Sequence, residues 1–172
     1  MEMIKQNDNI TRIGGISAII CGVCNILGGL MVIFAFFIPV IPSLAWGALF
    51  TFSMVLIVFP LIAISYRLFD GGSSLAKAAY VVTLTGLLLG LSGFFSPLGW
   101  VIYIFGFLLL AAANMQNRQV SIGAMWLWFF CIVISIGTSF LNIPLLSRGI
   151  FPVISAAPII WIGMSLLQIN KE

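Results

Sequence analysis

The chain has 172 residues, of which 62% are hydrophobic and 6% are charged, and its formal net charge is +3. Soluble domains carry about 25% charged residues. Composition therefore excludes a soluble fold of this length, whereas a lipid bilayer solvates an apolar exterior. The positive charge is too small and too dispersed for a nucleic-acid footprint, so we expect membrane lipid as a partner and no nucleic acid.

Four long stretches lack any charged side chain, namely 13–66, 78–117, 119–147 and 149–170. A helix needs about 20 apolar residues to cross the hydrocarbon core. The first two stretches are long enough for two crossings each, and the last two for one each. The sequence therefore predicts an all-α integral membrane protein, a compact bundle of about six helices built as three helical hairpins. It forms one polytopic domain over 1–172, with spans at approximately 13–38, 44–66, 75–96, 98–114, 119–142 and 150–168.

The boundaries between spans follow from helix breakers and turn-forming residues. The first apolar run is 26 residues long, against about 7–15 for a signal-peptide core, and indicates an uncleaved first helix. Span four is short, so a partly re-entrant pair over 75–114 is the alternative to two full crossings. Pro60 and Pro158 are expected to kink spans two and six, since proline lacks a backbone donor.

The orientation follows from the basic residues, which concentrate in cytoplasmic loops. With the N-terminus inside, six of the seven basic residues are cytoplasmic and the outer loops hold only Arg148. An even number of spans keeps the C-terminus inside as well. The predicted location is the plasma (inner) membrane, with both termini cytoplasmic. The six cytoplasmic residues are Lys5, Arg12, Arg67, Lys77, Arg118 and Lys171.

Small residues recur at helical spacing in the odd spans, which favours close backbone approach inside a membrane. We expect these faces to make the inner contacts of the bundle, although glycine is also simply common in membrane helices. In span one the face consists of Gly14, Ala18, Cys21, Asn25 and Gly28. In span three it consists of Ala79, Thr83, Gly86, Gly90 and Gly93, and in span five of Ala124, Trp128, Cys131, Ser135 and Thr138.

Titratable groups are missing from the middle of every predicted span, and the chain has no histidine. Proton relays and many ion-coupled pathways depend on such groups, so an ion-driven pump is disfavoured. Acid–base catalysis also needs a positioned titratable side chain. We therefore predict no catalytic residues, no metal site and no cofactor, and favour a non-enzymatic protein.

Cys21 and Cys24 form a C-x-x-C pair in the first span. That spacing indicates redox chemistry in a soluble context. Here the pair lies about 13 Å from Arg12 along the helix at 1.5 Å per residue. Two small packing residues are the favoured interpretation, and a membrane thiol redox protein is the alternative.

Polar side chains at membrane depth are the candidate ligand-binding residues, because uncharged polar groups need a partner there. Their lack of charge implies a neutral or mostly apolar ligand. From these residues we expect a closed centre in which Asn25 bonds to a neighbouring helix. The candidates are Asn25, Thr83, Ser135 and Thr138, with Trp161 as a deeper aromatic and Arg148 at the outer face.

Three functional hypotheses remain. The first is an accessory, regulatory or immunity-type protein that acts through helix–helix contacts with another membrane subunit or with itself. The second is a binding or transport subunit for a neutral or apolar small molecule. In length and span count the chain resembles the substrate-binding membrane subunits of vitamin-uptake transporters, although it carries Gly14-x-x-x-Ala18 where those usually have alanine-x-x-x-alanine. The third is the thiol redox protein.

Overall fold

In a computed structural model the residues described are 2–38, 43–70, 74–91, 96–141, 143 and 145–168, and within these ranges the chain is helical, without strands. Six segments are long and apolar enough to cross a membrane, as in a multi-pass membrane protein. The helices are α1 (Glu2–Phe37), α2 (Ser43–Leu56), α3 (Val58–Asp70), α4 (Ser74–Leu91), α5 (Ser96–Asn117), α6 (Ile122–Phe140) and α7 (Phe151–Gln168), and a π-helical turn (Leu145–Ile150) precedes α7.

Large apolar side chains cover much of the outer surface of the bundle. Leu44 is 82% exposed, Phe37 72% and Val81 60%. Water-soluble monomers rarely expose extended apolar surface of this kind. The exterior is therefore compatible with an apolar surrounding, as the composition predicts.

Successive spans run antiparallel and form a closed ring of neighbours. The order around the ring is α1, α7, α6, α5, α4 and α3, which returns to α1. We call the end of the bundle formed by the start of α1 and the end of α3 the Arg12 end. The opposite end, formed by the end of α1, the start of α2 and the π-helical turn, is the Arg148 end.

The second span is divided at Ile57, and its two halves have different surroundings. Pro60 cannot donate to the carbonyl of Leu56, so the regular helix is interrupted one turn before the proline. The α3 half contacts α1, α4, α5 and α7 and buries Leu61 and Ile64 almost completely. The α2 half, among the described residues, contacts only α1 and α3.

The sixth span contains Pro158 within a continuous helix and an irregular turn before it. Helix α7 continues through Pro158 to Gln168. The irregularity lies instead at the π-helical turn Leu145–Ile150, just before Pro152. Proline at 152 lacks the donor that an α-helix would direct to the carbonyl of Arg148, and a wider turn accommodates that loss.

Helices α4 and α5 are neighbours, and each is long and apolar enough to cross a membrane. They contain 18 and 22 residues, and together they begin before the uncharged stretch 78–117 and end with it at Asn117. Glycines set their contact, since a side chain at Gly86 would collide with the backbone of Tyr103, and one at Gly106 with the backbone of Thr83. Small residues thus let the two backbones touch along most of the hairpin.

Glycines seven residues apart also bring α1 against the last span. A Cβ atom at Gly15 would lie 2.9 Å from the carbonyl oxygen of Gly163, and one at Gly29 would lie 2.6 Å from that of Gly149. Between them Gly22 faces Ile160 and Ala156. This face of α1 lies beside the one that the sequence singled out.

The small-residue faces of the odd spans lie in contacts between helices. Gly14 lies against Ala63 of α3, and Gly28 against Phe50 of α2. Gly90 of α4 lies against Trp100 of α5. Among the described residues no close backbone contact joins α1 to α4. Each of these three glycines therefore contacts the next or preceding span in the sequence, and Gly93 lies outside the described residues.

The link between α5 and α6 is held by a buried side chain. Asn114 is fully buried, its amide donates to the carbonyl of Val120 (2.9 Å), and its carbonyl oxygen accepts from the Val120 N–H (3.0 Å). Helix α5 continues to Asn117, three residues beyond the predicted end of span four. Arg118 then turns the chain with a left-handed backbone (φ 51°).

Candidate functional site

A cavity of about 590 Å³ lies between the helices towards the Arg148 end. This volume is in the usual range of about 300–1,000 Å³ for small-molecule sites. The centre is therefore open at this end and not closed as expected, whereas the expected hydrogen bond from Asn25 to a neighbouring helix is present, with Ser53. All six spans contribute to the walls, and the described lining residues are Asn25, Phe50, Met54, Ile57, Leu87, Pro97, Trp100, Tyr103, Trp128, Cys131, Ile132, Ser135, Ile136, Ser139, Ser147, Arg148, Pro152, Ser155 and Ile159.

One face of α6 forms the longest wall. It contributes positions 128, 131, 132, 135, 136 and 139, the i, i+3, i+4 spacing of a single helix face. Trp128 and Ser139 are eleven residues apart, which is about 16 Å along a helix axis at 1.5 Å per residue. The cavity therefore reaches from the Arg148 end to the middle of the bundle.

The break in span two explains why space remains at this end. Phe50 and Met54 of α2 line the cavity, yet α2 has no close backbone contact with α4, α5 or α6 among the described residues. At the Arg12 end, α3 occupies the equivalent position and fills the centre with buried side chains such as Leu61 and Ile64. The interruption at Ile57 separates these two arrangements within a single span.

Aromatic rings form the wall on the α5 and α6 side. Trp100 and Tyr103 pack edge to face with ring centroids 5.8 Å apart, and Phe107 contacts Trp128 in the same manner at 4.7 Å. Tyr103 and Phe107 lie 6.2 Å apart and connect the two pairs. Such packing fixes ring positions, so this wall is rigid.

Asn25 belongs both to the cavity lining and to an interhelical hydrogen-bond cluster. Its side-chain oxygen accepts a hydrogen bond of 2.8 Å from Ser53 of α2, whose hydroxyl oxygen also lies 3.2 Å from the sulfur of Cys21. The Asn25 amide nitrogen has only the Cys21 sulfur at 3.9 Å as a partner among the described residues. An amide nitrogen carries two N–H donors, so hydrogen-bonding capacity remains at the cavity.

Three further polar side chains in the lining have unused hydrogen-bonding capacity. The hydroxyl of Tyr103, the indole N–H of Trp128 and the hydroxyl of Ser135 form no hydrogen bond with any described residue. Tyr103 is 3% exposed and Trp128 2%. Among the described residues the fully buried side-chain polar atom without a partner is the hydroxyl oxygen of Ser65. The polar atoms of Tyr103 and Trp128 are therefore accessible from the cavity and available to a bound molecule that carries an acceptor.

The structure brings together some of the candidate ligand-binding residues and separates others. Asn25, Ser135 and Arg148 line the cavity. Thr83 donates to the carbonyl of Ala79 (2.7 Å) at the α4–α5 contact, and Thr138 donates to the carbonyl of Ser135 (2.9 Å). Neither threonine is among the described lining residues.

Trp161 also lies away from the cavity. It is 47% exposed on the outside of α7, where its ring would lie 3.6 Å from a Cβ atom at Gly123. An aromatic residue deep in a predicted span does not by itself indicate a pocket.

The cysteines are free thiols, and they lie in two places. Cys21 and Cys24 are buried along α1, and Cys21 contacts Ser53 as described above. Ala18, one turn earlier on that face, is fully buried as well. Cys131 lies on α6 and lines the cavity, so only this thiol has open space beside it among the three.

Several lining residues were missed by the sequence analysis. Tyr103, Trp100 and Phe50 come from even spans, which showed few small or polar residues at regular spacing. A usable signal was the α6 face, since Trp128, Cys131 and Ser135 share the predicted small-residue face of span five.

No protein-family model, curated protein or solved structure matches this chain. Its function is therefore inferred from the cavity.

Proposed function

We propose that the protein is a non-enzymatic, membrane-embedded binding protein or binding subunit that holds a small molecule in the cavity. The buried part of the ligand is neutral and mostly apolar, because Phe50, Met54 and Ile132 line the walls and no described lining residue other than Arg148 carries a charge. A hydrogen-bond acceptor on the ligand would satisfy the donors of Tyr103, Trp128 and Asn25.

The observation that carries this proposal is a cavity of about 590 Å³ whose mainly apolar lining also includes the polar side chains of Asn25, Tyr103 and Trp128. Protein interiors are otherwise packed with few voids larger than a water molecule. A void of this size loses the packing contacts that its walls would make. A ligand that fills the space restores those contacts.

The proposed setting is the plasma (inner) membrane, crossed six times with both termini in the cytoplasm. Arg67 of α3 donates to Thr11 of α1 (3.0 Å), which places those two basic helix ends together at the Arg12 end. Lys77 near the start of α4 and Arg118 after α5 belong to the same end by the alternation of the spans. This distribution supports a cytoplasmic Arg12 end.

Cysteine labelling tests the orientation. An impermeant maleimide added to intact cells should modify Ser147→Cys and not Ser73→Cys, and the unsubstituted chain, whose thiols are buried, serves as the background. Labelling of only the second variant would reverse the orientation. Ser73 itself lies outside the described residues.

Tryptophan quenching tests the binding function. A monoacylglycerol with a brominated acyl chain should quench part of the fluorescence of the protein in nanodiscs saturably, because Trp100 and Trp128 line the cavity. Ser135→Phe fills the cavity and should abolish the saturable part. Gly137→Phe on the same helix is the matched control, since nothing lies within 4 Å of a Cβ atom there, and it should behave as the unsubstituted chain.

The accessory, regulatory or immunity-type role stays a prediction from the sequence. If the protein has this accessory role, purification in mild detergent should yield it together with a stoichiometric partner protein or a second copy of the chain. Native mass spectrometry of the same sample separates the possibilities. A bound small molecule supports the binding function, and a bound quinone would support thiol redox chemistry at Cys21 and Cys24.

A further inference from the structure

The mouth of the cavity carries one positive charge that has no counter-charge in the described structure. Arg148 is exposed and lines the cavity, and it forms no ion pair with a described residue. The internal acidic residue of the chain, Asp70, ends α3 at the Arg12 end. An arginine beside an apolar cavity is therefore available for an anion from outside the chain.

The backbone holds Arg148 in a defined position. It lies in the π-helical turn, where the next residue, Gly149, has its carbonyl oxygen 2.6 Å from the place of a Cβ atom on Gly29 of α1. Such close contact ties the turn to α1. Wide turns of this kind occur frequently at functional sites.

The cavity rim around Arg148 is polar, in contrast to the deeper walls. Ser139 and Ser147 line this end, and their hydroxyls donate to the carbonyls of Ser135 (2.9 Å) and Ile143 (3.2 Å) respectively. Deeper along the same walls lie Ile132, Ile136 and Met54. A molecule that fits a charged, polar rim and a mainly apolar interior has a charged group at one end and an apolar chain at the other.

The arrangement of α2 leaves a side route for such a chain. Among the described residues α2 has backbone neighbours only in α1 and α3, whereas the opposite wall consists of α5 and α6. The apolar part of an amphiphile can therefore pass between α2 and α5 while its headgroup stays at the surface. A ligand confined to water would need entry at the Arg148 end instead.

We propose that the ligand is a single-chain anionic amphiphile whose phosphate or carboxylate group binds Arg148 and whose apolar chain occupies the cavity. This inference rests on the proposed binding function and adds the class of the ligand. The guanidinium group presents N–H donors in a fork that matches a phosphate or carboxylate. The headgroup is a lipid's and not a free anion, because the volume behind Arg148 is lined mainly by apolar side chains.

A matched pair of probes tests the headgroup. Brominated lysophosphatidic acid and the brominated monoacylglycerol with the same acyl chain differ only in the phosphate, and both are titrated into the protein in zwitterionic nanodiscs. We expect lysophosphatidic acid to bind about tenfold more tightly, the factor that corresponds to one charge-assisted hydrogen bond of about 1.4 kcal/mol. Raising the salt concentration should reduce this difference.

Substitutions assign the difference to Arg148. Arg148→Gln should reduce the ratio of the two affinities from about tenfold to about one, while Arg148→Lys should keep part of the preference. Arg12→Gln is the matched control, since Arg12 is exposed at the opposite end of the bundle, and it should keep the full preference. Inorganic phosphate, added at the same concentration as lysophosphatidic acid, should not displace the bound lysophosphatidic acid.

Four outcomes would overturn the inference. Equal binding of the two probes, or an unchanged preference in Arg148→Gln, would remove the headgroup site and leave the proposed binding function standing. Displacement by inorganic phosphate would show a free-anion site in place of a lipid site. Absence of saturable quenching by either probe would contradict the proposed function itself, and the inference with it.

Discussion

The two ends of the bundle are both built from apolar helices and pack differently, and the more apolar half of span two, α2, has the fewer neighbours. At the Arg12 end α3 lies in contact with α1, α4, α5 and α7, and its side chains fill the centre. At the Arg148 end α2, the other half of the same span, has only α1 and α3 as described neighbours, and a cavity of about 590 Å³ remains. Hydrophobicity alone therefore does not decide whether helices close upon one another.

Two local features shape the packing, and one of them differs between the ends. Glycines let backbones approach at both ends, as Gly15 and Gly163 do near Arg12 and Gly99 and Gly90 do near Arg148. Where Pro60 interrupts span two, the chain changes direction and the two halves find separate surroundings. The following experiments alter these features one at a time and compare the response of the two ends.

The largest effect is expected from Gly86→Leu at the α4–α5 contact. Any side chain there collides with the backbone of Tyr103, and backbone cannot move aside as a flexible side chain can. The free energy of unfolding should fall by about 3 kcal/mol, the upper range for overpacking. Thermal unfolding followed by circular dichroism measures it. Gly137→Leu is the control, with no atom within 4 Å of its Cβ position, and equal loss in both variants would contradict the packing described.

Asn114→Ala should have the next largest effect, and Asn114 lies at the Arg12 end. The substitution removes both hydrogen bonds to Val120 and leaves buried backbone groups without partners. We expect a loss of about 2 kcal/mol, together with faster hydrogen exchange at the Val120 amide. Asn117→Ala, which removes a single bond of 3.3 Å to its own helix, should cost much less. Slow exchange at Val120 in Asn114→Ala would show that the loop is held by other contacts.

Pro60→Ala should shift the Arg148 end towards the packing of the Arg12 end. Restoring a backbone donor removes the cause of the interruption at Ile57, and we expect a gain of about 1 kcal/mol in the free energy of unfolding. The cavity should narrow, and saturable quenching by brominated monoacylglycerol should weaken several-fold. Pro158→Ala is the control because α7 is continuous through Pro158, whereas span two is interrupted before Pro60. Unchanged binding in Pro60→Ala would mean that the interruption does not maintain the cavity.

The number of spans could be predicted from the sequence because it depends on length and charge alone. The six predicted spans coincide with the six apolar segments, although α1 begins at Glu2, well before the predicted start of span one. A helix that spans a membrane can continue beyond it on either side. Stretches without charged residues therefore predict the positions of spans better than they predict the ends of helices. The sequence also did not predict the exact position of the helix interruption in span two, since Pro60 causes an interruption one turn earlier, at Ile57.

Partner choice between helices could not be predicted from small-residue faces. A face such as Gly14, Ala18 and Gly28 predicts that some backbone comes close, but no property of that face identifies which helix it is. The second glycine face of α1 was present in the sequence as Gly15, Gly22 and Gly29 and was overlooked, because polar and small residues were sought on one face only. A cavity forms where neighbouring helices do not contact each other. The residues of a single helix do not specify how far away its neighbours lie, so the cavity could not be predicted from them.

The smallest effect, and the most specific test of the Arg148 end, is expected from Ser53→Ala. The Ser53 hydroxyl joins α2 to α1 through its hydrogen bond to the side-chain oxygen of Asn25. Hydrogen bonds between membrane helices contribute about 0.6 kcal/mol on average, so the loss of stability should be modest. Ligand binding should respond more clearly, because the freed Asn25 side chain lies in the cavity lining and α2 loses a tie to α1.

Thr51→Ala is the matched control for Ser53→Ala. Thr51 lies on the same helix two residues away, is exposed, and donates to the carbonyl of Gly47 within its own helix (3.0 Å). It should leave both stability and monoacylglycerol binding unchanged. If Ser53→Ala and Thr51→Ala bind the probe equally, the interhelical bond does not position the wall of the cavity. If only Ser53→Ala alters binding, and does so with a loss of stability below about 1 kcal/mol, then the loosely neighboured α2 is held at the cavity by this one polar contact.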